Sequence, residues 1–351
     1  MPFRGFSSIA VAATLAVSVI ACQSAPDVAT DVPATESATD MPMPGEGVTI
    51  RAGHSDWLEE IFTTEIVNIG LDELGYEIAD LQQADYSALH LSVANGDLDY
   101  NTSFYDPNHQ NILANISDAD QLALVGEMVI GQEGFFMDKA TVEEYSITSI
   151  DQLQDPELAK LFDSNDDGKA NLAGCQSGWP CNAINTHWID VYGLKDTVEQ
   201  DEGQSTILLS DVITRYEQGE PVLFFAYFPH WVFASLKIDE DVVWVEVPFT
   251  DLPGEQAELT DADTTVDGKN VGRPPILQRV IANADFLAEN PAAAKWFEIV
   301  NIPAADISNE SLLIKDGENS PEDIRRHAEE WVEANREQFD QWLEEARQAA
   351  G

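Results

Sequence analysis

Val48-Thr49-Ile50-Arg51-Ala52 opens a run in which strand-like and helix-like segments alternate. A helix is expected from about Ser55 to Leu74, because Ile61, Ile66, Ile69 and Leu74 recur near the helical period and Gly75 stops it. Strand signals at Tyr76–Leu81 and Leu98–Thr102 flank a second expected helix, Tyr86–Ala94, stopped by Gly96. Strand, helix, strand, helix, strand is the pattern of an α/β sheet rich in parallel pairs. Such a sheet carries Phe104-Tyr105-Asp106-Pro107-Asn108-His109 to its carboxyl edge, where open α/β folds bind ligands.

The theme repeats downstream. Strands are expected at Ala123–Ile130, Glu133–Met137, Pro221–Ala226 and Val242–Pro248, with helices at Pro156–Phe162, Ala183–Val191 and Pro291–Ile299. One long helix, Pro321 to Ala349, closes the chain, with Ile324, Trp331, Phe339 and Trp342 on its apolar stripe. At 351 residues the chain exceeds one simple core, so two domains or a two-lobed body are expected.

Ahead of that body, Arg4, the apolar run Ile9 to Ile20 and the small-residue site Val19-Ile20-Ala21-Cys22 read as an export signal over residues 1–22. Val19-Ile20-Ala21-Cys22 resembles a bacterial lipobox, in which Cys22 becomes the lipidated first residue. Residues 23–47 hold almost no large apolar side chain and are expected to form a disordered tether. The remaining cysteines, Cys175 and Cys181, are then expected to form a disulfide in an oxidising compartment.

The charge excludes some partners. Lys and Arg total 17 against 64 Asp and Glu, a formal net charge of −47. A polyanion of this size repels nucleic acid and anionic membrane surfaces. The acids are spread along the chain as on an acidic, halophilic surface, and molar salt screens their repulsion over about 3 Å.

No nucleotide-binding glycine loop and no nucleophile elbow occurs, and the six histidines lack metal-ligand spacing. No catalytic residue, cofactor or metal ligand is therefore assigned. Asp163-Ser164-Asn165-Asp166-Asp167-Gly168 has two readings, half of a calcium loop or a polar turn closed by Asx hydrogen bonds; the twelfth loop position is Gly174, where a bidentate Glu is needed.

In Gly174-Cys175-Gln176-Ser177-Gly178-Trp179-Pro180-Cys181 two cysteines bracket a tryptophan. The loop reads either as a structural staple or as a device that fixes where Trp179 points. Tyr105, Trp179 and Tyr227 all stand at turns leaving strands or a cross-linked loop, and together they form a candidate aromatic box. Ring faces hold a cation without requiring it to donate hydrogen bonds, and a quaternary ammonium has charge but no N–H.

From Gly47 to Ala350 the chain resembles the periplasmic glycine betaine/proline betaine-binding proteins of osmoprotectant ABC importers. The resemblance rests on Ile150–Asp163, Gly174–Cys181, Phe228-Pro229-His230-Trp231-Val232, Asp241–Phe249, Leu252-Pro253-Gly254 and Asn290–Lys295. It implies an α/β fold of the type II periplasmic binding protein kind: two lobes with hinge-linked mixed sheets, 48–128 with 275–351 and 129–274, closing on a ligand. It also implies a periplasmic subunit that serves an ABC permease and ATPase and catalyses nothing; the lipid anchor expected on Cys22 would tether it to the membrane.

By the same resemblance the aromatic cage falls on Tyr105, Trp179 and Tyr227, and the carboxylate is held by His109 and the Cys181 backbone N–H. The chain departs from the pattern at Tyr105 and Tyr227, where tryptophan is usual, and at Pro180, where glycine would supply another donor. Other quaternary amines or sulfonium compounds, such as choline or carnitine, are the alternative ligands. A ligand-sensing extracellular domain or a hydrolase is the alternative outside the transport class.

Overall fold

The computed structural model describes residues 43–351 apart from Asp56 and Gly178. The export signal, Cys22 and the tether up to residue 42 lie outside the described residues. Of the expected tether, residues 43–47 are described and form a turn, in which the Gly45 N–H donates to the Leu74 carbonyl at 3.0 Å. Among the described residues no helix is long and apolar enough to cross a membrane.

The opening pattern holds, with shifted edges. Helices run Leu58–Glu73 and Tyr86–Ala94, the second capped by the Asp85 side chain on the Ala88 N–H at 3.0 Å. Gly75 and Gly96, with φ of +94° and +75°, terminate them in a backbone conformation that L side chains rarely adopt. The third strand extends further than expected, over Tyr100–Asp106, so Tyr105 lies within it.

Nine strands form the main sheet. Along its path Gln82–Gln83, Ala52–His54, Tyr100–Asp106, Ile276–Asn283, Leu122–Asp138, Leu223–Phe228, Ala170–Ala173 and Val198–Asp201 lie side by side, with Val242–Val245 paired to Leu122–Asp138 off that path. Pairing is mixed: Ala52–His54 runs parallel to Tyr100–Asp106, whereas Ile276–Asn283 runs antiparallel to both its neighbours.

The strands expected at Ala123–Ile130 and Glu133–Met137 are one strand of 17 residues, Leu122–Asp138. Its first half pairs with Ile276–Asn283, and its second half pairs with Leu223–Phe228 and Val242–Val245. The intervening Gly131-Gln132 pairs on both sides, with Ile276 and Phe228, and so continues the ladder instead of breaking it.

Two regions of core flank this long strand. One gathers the Leu58–Glu73 helix, Tyr100, Met128, Trp296 and the C-terminal helices. Around the second half, alternation sends Phe135, Met137 and Phe225 to one cluster and Phe136, Phe224 and Ala226 to another on the opposite face. That two-faced burial explains why these strands read as continuous apolar runs.

The expected single C-terminal helix is two, Pro321–Ala334 and Arg336–Ala349. At the break Asn335 leaves helical geometry, with φ −109° and ψ 20°, and its side-chain amide donates to the Trp331 carbonyl at 2.9 Å. The apolar stripe survives the break, since Ile324, Ala328, Val332, Phe339, Leu343 and Ala346 are all buried. Arg325 to Glu65 at 2.6 Å and Arg336 to Glu73 fasten both helices to the Leu58–Glu73 helix.

Candidate functional site

Two neighbouring cavities open where the long strand passes between the cores. The larger, about 540 Å³, is walled by Trp57, Tyr86, Tyr105, Tyr227 and Phe228 among others, with the carboxylates of Glu59 and Glu133 and, among the described residues, no lysine or arginine. The smaller, about 240 Å³, is lined by Trp179, Cys175 and Cys181 together with Ser205, His230 and Arg273. Trp57, Asn108, Glu133 and Tyr227 line both. The structure thus joins Tyr105 and Tyr227 around one space and sets Trp179 on the wall of the adjacent one.

Glu60 organises the larger cavity from behind. The Tyr86 and Tyr105 hydroxyls donate to its Oε1 at 2.8 and 2.9 Å, while the Ser103 hydroxyl and the Ser55 N–H donate to Oε2 at 2.7 and 2.9 Å. The side chain belongs to a residue only 1 % exposed and forms no ion pair within the described residues. Burial, and then Glu60, push the Tyr105 phenol well above its ordinary range. Tyr227 is likewise raised, by burial first and then by Glu59 and Glu133. Both phenols therefore stay neutral and present uncharged rings. Tyrosine at 105 has a physical reason here, because its hydroxyl makes the bond to Glu60.

Trp57 was not anticipated from the sequence. It is 43 % exposed at the N-cap of the Leu58–Glu73 helix and meets Tyr227 edge to face at 6.4 Å. Its signal was positional: it follows the first strand at the sheet's carboxyl edge, the criterion that singled out Tyr105 and Tyr227. Tyr86, the first residue of its helix, and Glu60, in the first turn of an apolar helix, carried no comparable mark.

His109 lies behind the wall. It is 8 % exposed, packs on Tyr86 at 4.4 Å between ring centroids, and lines neither cavity in this conformation. Its tautomer follows from a chain of donors. The Ser103 N–H donates to Asn101 Oδ1 at 3.0 Å, which turns the Asn101 amide nitrogen toward His90 Nδ1 at 3.4 Å. His90 Nε2 then donates to His109 Nδ1 at 3.2 Å, leaving the His109 proton on Nε2. Burial lowers His109 to about 4, against a smaller contribution from the Ser103 backbone. Burial and then His109 lower His90 to about 3.

On the other side, Cys175 and Cys181 are bonded, with Cα atoms 6.0 Å apart. The bond ties the loop to the helix Pro180–Val191, of which Trp179 is the N-cap residue. Trp179 is 43 % exposed. Pro180, at the first helical position, contributes no N–H, whereas the Cys181 N–H belongs to the first turn, whose donors have no intrahelical acceptor. Arg273 pairs through Nη2 with Glu133 between the two cavities.

The Asp163–Gly168 segment is a polar turn: Asp163 accepts from the Asp167 and Gly168 N–H groups at 3.2 and 2.8 Å, and Asn165 accepts from Asp167 at 3.1 Å. Among the described residues no cluster of three or more His, Cys, Asp or Glu could hold a metal.

Comparison with known proteins places this geometry. The family described as the substrate binding domain of ABC-type glycine betaine transport system matches residues 48–334. The glycine betaine-binding periplasmic protein OusX of Dickeya dadantii is 42 % identical over 310 residues, 88 % of this chain and 92 % of that protein. The glycine betaine/proline betaine-binding periplasmic protein of Escherichia coli K12 is 38 % identical over 306 residues, 87 % and 92 % of the two chains. In fold, lactococcal OpuAC, crystallised closed with glycine betaine, superposes with a TM-score of 0.54 at 18 % identity, covering 84 % of this chain and 99 % of its own. The fold is that of the type II periplasmic binding proteins, α/β and two-lobed. The chain belongs to the family of substrate-binding domains of ABC-type glycine betaine transport systems.

Proposed function

We propose that this protein captures glycine betaine or a closely related quaternary ammonium osmolyte between its lobes and delivers it to an ABC permease and ATPase, without catalysing a reaction. The observation that carries the reading is the larger cavity, where aromatic rings and carboxylates meet with no cationic side chain on the wall. A methylated ammonium is bulky, apolar at its surface and positively charged. Ring faces and carboxylates stabilise such a charge, whereas an ordinary ammonium would leave its N–H groups unpaired against the rings.

Tyr105 and Tyr227 form the cage on one side. Closure of lobe 129–274 on lobe 48–128 with 275–351, bending at the shared strand Leu122–Asp138, would bring Trp179 over the ligand and His109 and the Cys181 N–H to its carboxylate. The Cys175–Cys181 bond fixes the base of Trp179 in an exported protein. Choline is the second reading, favoured by Pro180, which removes one carboxylate donor.

Calorimetric titration with glycine betaine, proline betaine, choline, carnitine and glycine is the test. Trimethylated ligands are expected to bind and glycine to fail; equal affinity for glycine and glycine betaine would exclude a cation–π cage. Anchoring through lipid on Cys22 in the periplasm completes the proposal. A Cys22→Ser variant that stays in the membrane fraction would remove it.

A further inference from the structure

We propose that Arg273 is an anion subsite of this binding site, the group that takes the ligand's carboxylate where Pro180 offers no donor. The inference rests on the betaine-class reading above. Arg273 stands on the segment leading into the strand Ile276–Asn283 and lines the smaller cavity with Trp179 and Cys181. It is 7 % exposed and, among the described residues, is the cavity's one lysine or arginine.

Its hydrogen bonding is incomplete. Nη2 pairs with Glu133, and its backbone carbonyl accepts from the Gln132 amide at 2.9 Å. The buried Nε–H has no partner among the described residues. A guanidinium presents its N–H groups in a planar fork matched to a carboxylate, and a buried donor left unpaired is disfavoured until an acceptor arrives. One carboxylate, Glu133, already occupies part of the fork, and a ligand carboxylate would complete it once lobe closure uncovers the Nε–H, which is covered in this conformation.

Charge is divided accordingly between the two spaces. The larger cavity has Glu59 on its wall and Glu60 behind Tyr105, and the smaller has Arg273, while Glu133 and Tyr227 lie on both. A zwitterion with an ammonium at one end and a carboxylate at the other fits that division end to end, and choline fits only half of it.

The variant Arg273→Gln tests the assignment, because it removes the guanidinium fork while its amide can still donate to Glu133, which stays in place on the cation's cavity. Calorimetry is expected to show glycine betaine weakened about tenfold or more, with choline changed by less than about threefold. Arg273→Lys keeps a positive charge for Glu133 but loses the fork. It is expected to weaken glycine betaine about threefold or more, and it decides the matter if Arg273→Gln does not fold.

Glycine betaine binding within twofold of the parent in the folded variants overturns the proposal, as does an equal loss for choline, which would mean general damage to the cavity. If the parent itself binds no betaine, the functional reading fails and this inference falls with it. A parent that binds and variants that match it sink the inference alone.

Discussion

The wall built from residues 55–109 and the loop 174–181 both offer aromatic rings to the site, and they hold those rings by opposite means. On the wall, Tyr86 and Tyr105 are fixed through their hydroxyls by Glu60, a buried carboxylate with four donors. In the loop, the Trp179 backbone is fixed by a covalent bond two residues away while the indole itself stands 43 % exposed. A hydrogen-bonded hub sets side-chain position but exists only in the folded core. A disulfide sets backbone position and leaves the ring itself unfixed. The first arrangement couples the site to stability, whereas the second separates them.

That contrast is open to test. Glu60→Leu removes the shared acceptor of four donors, two of them buried, and is expected to cost about 3 kcal/mol of folding stability as well as betaine affinity. Chemical denaturation of the parent and variant measures the first, calorimetry the second. Trp179→Ala is expected to weaken betaine about thirty-fold, about 2 kcal/mol, with the denaturation midpoint unchanged. A Trp179→Ala protein that binds as the parent does would reduce the loop to a staple, and one that unfolds early would erase the distinction between the two regions.

The same contrast explains what was legible in the sequence. Tyr105, Tyr227 and Trp179 drew notice because each lies near a recognisable punctuation, the last residues of a strand or a cysteine loop. Glu60 was not, because in a chain with 64 acidic residues a single glutamate within a helix carries no distinguishing mark. Its role arises from Tyr86, Ser103 and Tyr105, which only tertiary packing brings to it. Helix Tyr86–Ala94 matched its expected bounds because Asp85 and Gly96 mark them locally. The long strand did not, because Gly131-Gln132 looks like a break in hydrophobicity, and only pairing on both sides carries the ladder through it. Arg273 likewise drew no notice, since its partner Glu133 is 140 positions away.

The smallest expected effect concerns pH, and it bears on the wall alone. Burial holds His109 at about 4 and His90 at about 3, both below the 6.5 of a free imidazole. Each is therefore neutral in the folded protein where it would already take up a proton unfolded. Their contribution to stability is complete above about pH 6.5 and is lost as pH falls toward those lower values, because the unfolded chain binds more protons across that window. His327 behaves oppositely: burial alone would lower it, but hydrogen bonds with Glu310 and Glu318 together raise it above 6.5. In imidazole NMR spectra recorded from pH 8 to about 5.5, His90 and His109 are expected to stay unchanged, while His327 takes up its proton at a higher pH than a free imidazole. Betaine affinity should be flat over the same range, since a neutral His109 donating from Nε2 is the form present throughout. An affinity that changes with a midpoint near 6.5, accompanied by movement of the His109 resonances, would show that the wall is open to water and that its donor chain does not fix the tautomer.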